Sequence, residues 1–576
     1  MSVTIGCDPR KRMVWCSCPF AANDLLRSLD GRHWNESRKR WEWEVYSQAA
    51  QAEVMARLQR LFPTALVKTE AEGEIDNRPL SERIRGVEVD CPSRRAPYEH
   101  QIDVVRASRV ARFFILADPM GYGKTQAAIE AACAAMRAGE VERVLVLCPT
   151  QLRETWRREI AAVAWEGDPQ DVAVVETDPP KPPGNKRRRG PRGAEYRRNV
   201  IARRATWTIC HYPVVHLHAE ELGNLVEGQF LIVDESQKLK NPRAKVSKAV
   251  QRWKPSRGIF MTGTPVENSP LDLWMPMHFC DPSVGSFWRF RDRYTVMQEI
   301  MAPNGHKVQV MVGTRRLDEL QERFARVGLR RTGVLHLPPI VERDLWVTLE
   351  GEQEKVYQEM KEKLRAELGD KDSEYFVVEA ASVLSQMLRL SQIADGYLAE
   401  GSRVIWANPN SKLEALDDLV EEVMANGEKI VVWSRFVPVT RMVAQRYGTD
   451  HKTGWISGEV PQRERDRVIA EFCEGDVELL SVQLQTGAWG LNLQQSCHQE
   501  AFIDLWWNPA VNAQARARLH RIGQSESVIC TRLLAAGTID EFVLGKLASK
   551  QAVADSLVGT GGEIRLTKQE VLDLLS

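Results

Sequence analysis

The sequence predicts an α/β protein of two sheet-forming blocks, with a helical segment between them and a small α+β unit in front. Between residues 96 and 280 the apolar runs Phe113–Ala117, Val144–Cys148, Phe230–Val233 and Gly258–Met261 alternate with amphipathic helical stretches. The alternation returns over 396–550, with Ile430–Trp433, Leu479–Val482, Ala501–Leu505 and Val528–Leu533. Short continuous apolar runs separated by helices are the pattern of a parallel sheet covered on both faces. The intervening residues 281–395 are helix-rich, with few strand runs.

The front unit, residues 1–66, is read from its own periodicities. Val14–Phe20 suits a strand and Ala22–Leu29 a short helix. Lys39–Val45 sets Trp41 and Trp43 between charged neighbours, the pattern of a half-buried strand in which both rings serve the core. Ala52–Phe62 repeats apolar residues at helical spacing. Residues 67–95 are polar, acidic and then Pro-containing, a linker. After 550 the chain forms a tail, 551–576, ending in a short helix over Thr567–Leu575.

Bulk composition excludes little. The 78 Lys+Arg balance 78 Asp+Glu, so any nucleic-acid site has to be a local basic surface. No stretch approaches the ~20 apolar residues of a membrane-spanning helix, and Met1–Trp15 lacks the apolar core of a secretion signal. The basic run Lys181–Arg204 leaves three readings open: a solvated insertion, a DNA phosphate contact or a nuclear address.

Chemistry enters at Asp118-Pro-Met120-Gly121-Tyr122-Gly123-Lys124-Thr125, which follows one predicted strand and opens a helix. Glycines in a strand-to-helix turn let backbone N–H groups close on phosphate oxygens, Lys124 reaches the β- and γ-phosphates, and Thr125 holds Mg²⁺. Asp118 breaks the strict pattern, which begins with Gly. Gln126 follows in the same helix start. At the end of another apolar strand, Leu231-Ile-Val-Asp234-Glu235 supplies two adjacent acids. Asp234 suits the Mg²⁺ shell, and Glu235 suits orienting and deprotonating a water.

These segments, with Leu147-Cys-Pro149-Thr150 and Trp156, Met261-Thr-Gly-Thr-Pro265 with Asn268, Thr486-Gly487-Ala-Trp-Gly490-Leu-Asn-Leu493, Trp506-Trp507-Asn508-Pro509 and Arg518-Leu-His-Arg521-Ile-Gly-Gln524, resemble the Swi/Snf-type translocases of helicase superfamily two. The motifs stand in the family's order over residues 96–550. The resemblance implies two RecA-like P-loop lobes, 96–280 and 396–550, with a helical insertion over 281–395 that helps grip duplex DNA. It further implies a nucleotide site built from Gln101 (reading adenine), the 118–126 segment and Gly490, with Arg518 and Arg521 as arginine fingers. Two guanidiniums on one helical face would neutralise charge developing on the γ-phosphate. Pro149, Thr150, Tyr212, Lys240, Asn241, Thr486, Gly487, Trp507 and Asn508 are the implied DNA contacts, the partner being double-stranded or forked DNA. Three departures stand out. Ala517 replaces an acid common before the first finger, Gln237 replaces a common His, and Arg330-Arg331-Thr-Gly lacks the family's following Lys.

Residues 12–66, around Arg32-His-Trp34 and Arg38-Lys-Arg40-Trp41-Glu-Trp43, resemble the HARP domain of annealing helicases, which implies engagement of forked DNA. The expected function is an ATP- and Mg²⁺-dependent DNA translocase that remodels or reanneals its track. A strand-separating helicase and an ATP-gated DNA-binding scaffold with slow hydrolysis are the alternatives. A monomer is expected, in cytoplasm or nucleoid for a bacterial or phage protein and in the nucleus for a eukaryotic one.

Overall fold

A computed structural model describes residues 4–8, 13–17, 32–35, 40–44, 48–61, 66–69, 76–91, 93–164, 171–177, 193–265, 269–301, 307–331, 333, 337–369, 380–400, 403–487 and 491–556. The expected helices at Ala22–Leu29 and Thr567–Leu575, the Lys186–Arg189 cluster, Asn268 and Gly490 lie outside the described residues.

In the front unit, strands β1 (Thr4–Asp8), β2 (Met13–Ser17), β3 (Arg32–Asn35), β4 (Arg40–Glu44) and β5 (Leu66–Thr69) form one sheet, in the order β3-β4-β2-β1-β5. The helix Gln48–Leu61 lies against β1 and β2. Val14, Cys16, Trp43 and Leu58 are buried, so Trp43 serves the core as expected, while Trp41 is only half-buried.

The first lobe is a seven-stranded parallel sheet. Its strands are β6 (Phe113–Leu116), β7 (Val144–Cys148), β8 (Val172–Val175), β9 (Trp207–His211), β10 (Phe230–Val233), β11 (Arg257–Met261) and β14 (Gly328–Leu329), in the order β14-β6-β11-β10-β7-β9-β8. Every residue of β7, β9 and β10 is buried. Alternate side chains enter two different cores: Phe114, Val146 and Ile232 on one face, Ile115, Leu147 and Val233 on the other. This is why these strands read as unbroken apolar runs.

The second lobe repeats the architecture with six parallel strands. They are β15 (Ile340–Val347), β18 (Ile430–Ser434), β19 (Thr453–Ile456), β20 (Leu479–Gln483), β21 (Gln499–Phe502) and β22 (Val528–Ala535), in the order β15-β22-β21-β18-β20-β19. Two antiparallel hairpins stand outside the sheets: β12 (Thr295–Met301) with β13 (Lys307–Thr314), and β16 (Tyr397–Glu400) with β17 (Arg403–Trp406).

The 281–395 segment differs from its expected character. It holds the helices Phe287–Tyr294, Leu317–Val327, Gly351–Gly369 and Ala380–Ala394, but it also supplies β14 to the first sheet and β15 to the second. Both are edge strands. β15 is largely exposed, so its residues mix charge with apolar side chains and make no apolar run.

Candidate nucleotide site between the lobes

The chemistry-bearing segments leave the sheet at the carboxyl ends of neighbouring strands, where parallel α/β sheets place their ligands. The phosphate loop follows β6, Met261-Thr-Gly-Thr264 follows β11, and Asp234-Glu235 follows β10; β6, β11 and β10 are adjacent.

Gly121 and Gly123 carry φ of +81° and +69°, a region that suits glycine, and Gly123 caps the helix Lys124–Arg137. A Cβ on Gly123 would sit 2.4 Å from Gln101 Nε2, and one on Gly263 would sit 2.6 Å from Met120 Cγ. The loop is therefore packed against its supports on both sides. Lys124 donates from Nζ to the carbonyls of Asp118 (2.8 Å) and Pro119 (2.9 Å). Burial pushes its ammonium below the usual value, against the pull of Glu235, Asp118 and Asp234. Thr125, half-buried, is the second residue of the helix.

Gln101 donates from Nε2 to the Gly123 carbonyl (3.2 Å) and accepts at Oε1 from the Tyr98 N–H (2.9 Å). Its side chain is thus a brace of the phosphate loop. Next to it, the His100 ring lies against Tyr98 and Tyr122, and His100 Nε2 bonds the Tyr122 carbonyl at 2.9 Å.

Two of the expected nucleotide-binding residues have side chains engaged elsewhere. The Asp118 carboxylate turns to Arg331, accepting from its backbone N–H (3.0 Å), Nε (3.1 Å) and Nη2, so only the Asp118 carbonyl faces the loop lysine. The Gln126 amide is engaged within the lobe by the Arg95 carbonyl (3.3 Å) and Glu130 (3.5 Å), which leaves its backbone alone at the helix start.

At the acid turn, the Trp156 indole donates to Asp234 Oδ2 at 2.9 Å, and Tyr212 donates its hydroxyl to the Asp234 carbonyl. Burial first, then the neighbouring Glu235, pushes the Asp234 carboxyl up to about 7; Trp156 and Lys124 oppose the shift. Glu235 has φ +52°, rare for a side chain of its type, and accepts from Gln237 Nε2 at 2.6 Å. Gln237 thereby fills the place of the commoner His by orienting the acid.

The second lobe closes the site. The Ile522 N–H reaches the Gly121 carbonyl at 3.4 Å, and a Cβ on Gly121 would lie 2.9 Å from Arg521 Cβ. The helix Pro509–Arg516 ends before the two expected fingers, so Arg518 and Arg521 project from the turn after it and not from one helical face. Arg518 donates from Nε to the Gln514 carbonyl at 3.0 Å, which positions it without the acid that Ala517 replaces. Burial and then Arg521 draw Arg518 down to about 10, while Glu235 and Asp234 across the cleft pull it up, so it stays charged at neutral pH. Arg521 bonds Asn492 Oδ1, and its buried Nε has no hydrogen-bond partner.

The implied DNA contacts divide. Thr150, Lys240, Thr486 and Trp507 are half-buried and Asn241 is exposed. The Thr486 hydroxyl donates to Gln483 Oε1 at 2.9 Å, Trp507 packs edge-on against Phe542, and Asn508 caps the helix Pro509–Arg516 with its Oδ1. Tyr212 is 8% exposed and serves the acid turn, so its expected side-chain contact to DNA is replaced by an internal one. Gly487 is buried, with room for no Cβ: one would sit 2.0 Å from Val482 and 2.7 Å from Trp433. Pro149 is buried as well. Two further residues carry no local sequence signal: Arg331 stands in the segment that departs from the family's motif, and Lys412 finds its partners Asp395 and Asp540 only in the fold.

With the geometry in place, comparison with known proteins decides the family. The SNF2-related domain matches residues 41–396, and the helicase conserved C-terminal domain matches 411–523. The chain belongs to the SNF2-related family. This is the Swi/Snf type of superfamily two helicase, and its two parallel lobes are those of the α/β fold expected. Among relatives, a Bacillus subtilis protein named as a candidate ATP-dependent helicase/translocase, YwqA, is 28% identical over 80% of this chain and 48% of its own length. The CHD3-type chromatin-remodeling factor PICKLE of Arabidopsis thaliana is 26% identical over 80% of this chain and 34% of its own. The chain spans half or less of the length of these relatives. A solved SWI2/SNF2 ATPase core of Sulfolobus solfataricus in complex with dsDNA is 25% identical, with a TM-score of 0.38 over 82% of this chain and 96% of that one.

Proposed function

We propose that the protein is a DNA-dependent ATPase that uses lobe closure to move along duplex or forked DNA and to remodel or reanneal it. The observation carrying this reading is the meeting of the two lobes at the phosphate loop, where Arg521 lies against Gly121 and Arg518 shares its field with Asp234 and Glu235. Hydrolysis that needs residues from both lobes is tied to their relative position, which is the requirement of a motor.

The residues fit a nucleoside triphosphate with Mg²⁺. The glycine loop has no room for side chains at Gly121 and Gly123, which keeps its backbone close to the cleft, and Arg521 keeps a buried donor unpartnered. Among the described residues no group of three or more His, Cys, Asp or Glu could hold a metal by itself, so a cation here needs phosphate oxygens as well as Thr125 and Asp234. Mg²⁺, when bound, neutralises charge on the β- and γ-phosphate oxygens. Lys124 releases the carbonyls of Asp118 and Pro119 to bind phosphate. Glu235, oriented by Gln237, positions the attacking water and takes its proton. Arg518 and Arg521 stabilise the charge that develops on the transferred group.

Thr150, Lys240, Asn241 and Thr486 are the DNA contacts we retain, as sequence-independent holds on the backbone. Our division of the chain is a front unit that runs through β5 to Thr69, a first lobe that extends to β14, a second lobe that begins at β15 and runs through the helix ending at Ser556, and a tail, with the first unit engaging forks. Lys124→Ala and Glu235→Gln should each abolish ATP turnover in the folded protein; turnover at the wild-type rate in either variant rules this assignment out. Deleting residues 1–69, the front unit with the whole of β5, should remove any preference for forked over linear duplex DNA while leaving duplex-stimulated turnover in place. A preference that survives the deletion removes the front unit from fork recognition.

A further inference from the structure

We propose that Arg331 is a positioning residue of this ATP site, fixing the entry of the phosphate loop and tying it to the connection between the lobes. The inference rests on the ATP reading above.

Its origin is the register of two edge strands. β14 pairs with β6 in parallel, Leu329 opposite Leu116, and the ladder continues as the Ala117 N–H bonds the Leu329 carbonyl at 2.8 Å. Two residues beyond each paired position, Arg331 and Asp118 come side by side. Arg331 covers both oxygens of the Asp118 carboxylate with its backbone N–H, Nε and Nη2. Its Nη1 reaches the His100 carbonyl and lies 3.4 Å from Asp103 Oδ2. The side chains of Arg331 and Asp118 are only 13% and 2% exposed, so this pair escapes most of the screening that weakens surface pairs.

Two of the residues that Arg331 holds, Asp118 and His100, touch the phosphate loop. Asp118 gives its carbonyl to Lys124 Nζ, and His100 bonds the Tyr122 carbonyl through Nε2. One guanidinium thus sets the loop from two sides. Beyond Arg331, the Gly333 N–H donates to the Tyr122 hydroxyl at 3.2 Å. Farther along, the Pro338 carbonyl meets His520 Nε2 at 2.8 Å, and Glu342 in β15 pairs with Arg516. His520 and Arg516 flank the finger Arg518. The stretch that joins the lobes is therefore fastened to the phosphate loop at its start and to the arginine turn at its end. A loop displaced by nucleotide moves Asp118, and Arg331 passes that movement to the connection.

The test compares wild type, Arg331→Gln, Arg331→Lys, Asp118→Asn and the double variant R331Q/D118N. The readouts are thermal melting, Mg·ADP affinity by titration, and KM and kcat for ATP. Arg331→Gln should weaken Mg·ADP binding and raise KM for ATP by about ten-fold or more, the scale of losing a buried charge-assisted hydrogen bond. Arg331→Lys should fall between it and wild type, because an ammonium reaches one carboxylate oxygen without also reaching His100. The double variant should be no worse than Arg331→Gln alone. Should Arg331→Gln fail to fold, Arg331→Lys and Asp118→Asn carry the same comparison. Variants that melt earlier while keeping wild-type Mg·ADP affinity, KM and kcat assign Arg331 a structural role only and overturn the proposal. A wild-type protein that neither binds Mg·ADP nor turns over ATP overturns the ATP reading itself, a different outcome.

Discussion

At Asp234 the candidate site holds a carboxyl poised near neutral pH. With the carboxyl pushed up to about 7 by burial and by Glu235, the nucleotide-free site carries a proton there in mildly acidic solution. The raised value means that the folded state holds a proton the unfolded chain lacks between about pH 4 and 7, so this group adds stability as pH falls through that window and withdraws it as pH rises through 7. Cation binding requires the ionised form and must expel the proton below 7. The half-saturating Mg²⁺ concentration for ATP turnover should therefore climb as pH is lowered from 8 to 6, approaching ten-fold per unit below about 7. Trp156→Phe should steepen the requirement at neutral pH, because the indole N–H favours the charged carboxylate. A flat Mg²⁺ requirement between pH 8 and 6 would show that Asp234 is ionised throughout. The places of Lys124, Thr125, Asp234 and Glu235 at the candidate site were legible residue by residue, since each stands inside a local motif at a strand end. Those of Asp118, Gln126 and Tyr212 were not legible, since their side chains take partners distant in the chain: Arg331, the Arg95 carbonyl and the Asp234 carbonyl.

Among the elements, the central strands were the easiest to read and the edges the hardest. β7 and β10 span the residues their apolar runs predict, because a strand buried on both faces has no reason to admit polar side chains. β15 escaped notice because its edge position exposes Glu342, Arg343 and Asp344, and β14 because two residues make no pattern. The helix Ser411–Ala425 hides a stronger case. Asn410 caps it by accepting from the Leu413 N–H, and Lys412 then points into the lobe with none of its side chain exposed. Lys412 Nζ meets Asp395 at 2.8 Å, Asp540 at 2.6 Å and the Ile503 carbonyl at 2.7 Å. Burial works to strip its proton, but the two carboxylates outweigh that and hold the ammonium above its usual value. One lysine so joins the end of the helix Ala380–Ala394, the strand-end segment after β21 and the start of the helix Ile539–Ser556. Lys412→Met should cost about 3–5 kcal/mol in equilibrium unfolding, since it strands two acids in a buried site. A loss below about 1 kcal/mol, the range of an exposed pair, would contradict that role.

The whole molecule joins two lobes whose cores are separate but whose chemistry is shared. Neither lobe holds both the acids and the two arginines: Lys124, Asp234 and Glu235 follow strands of the first sheet, and Arg518 and Arg521 follow a helix of the second. Sequence order alone suggested this division, through motifs that stand in the family's order along the chain. The closeness of Gly121 to Arg521 and the fastening of the inter-lobe connection at Arg331 and Pro338 come only with the fold. An arrangement of this kind makes turnover depend on whatever sets the lobes' relative position, and in our reading that is DNA. The decisive measurement is the ATPase rate of the full chain without DNA and with single-stranded, linear duplex and forked DNA in parallel. The account predicts a strong stimulation by duplex or forked DNA over both single-stranded DNA and no DNA. Equal rates under all four conditions would contradict it.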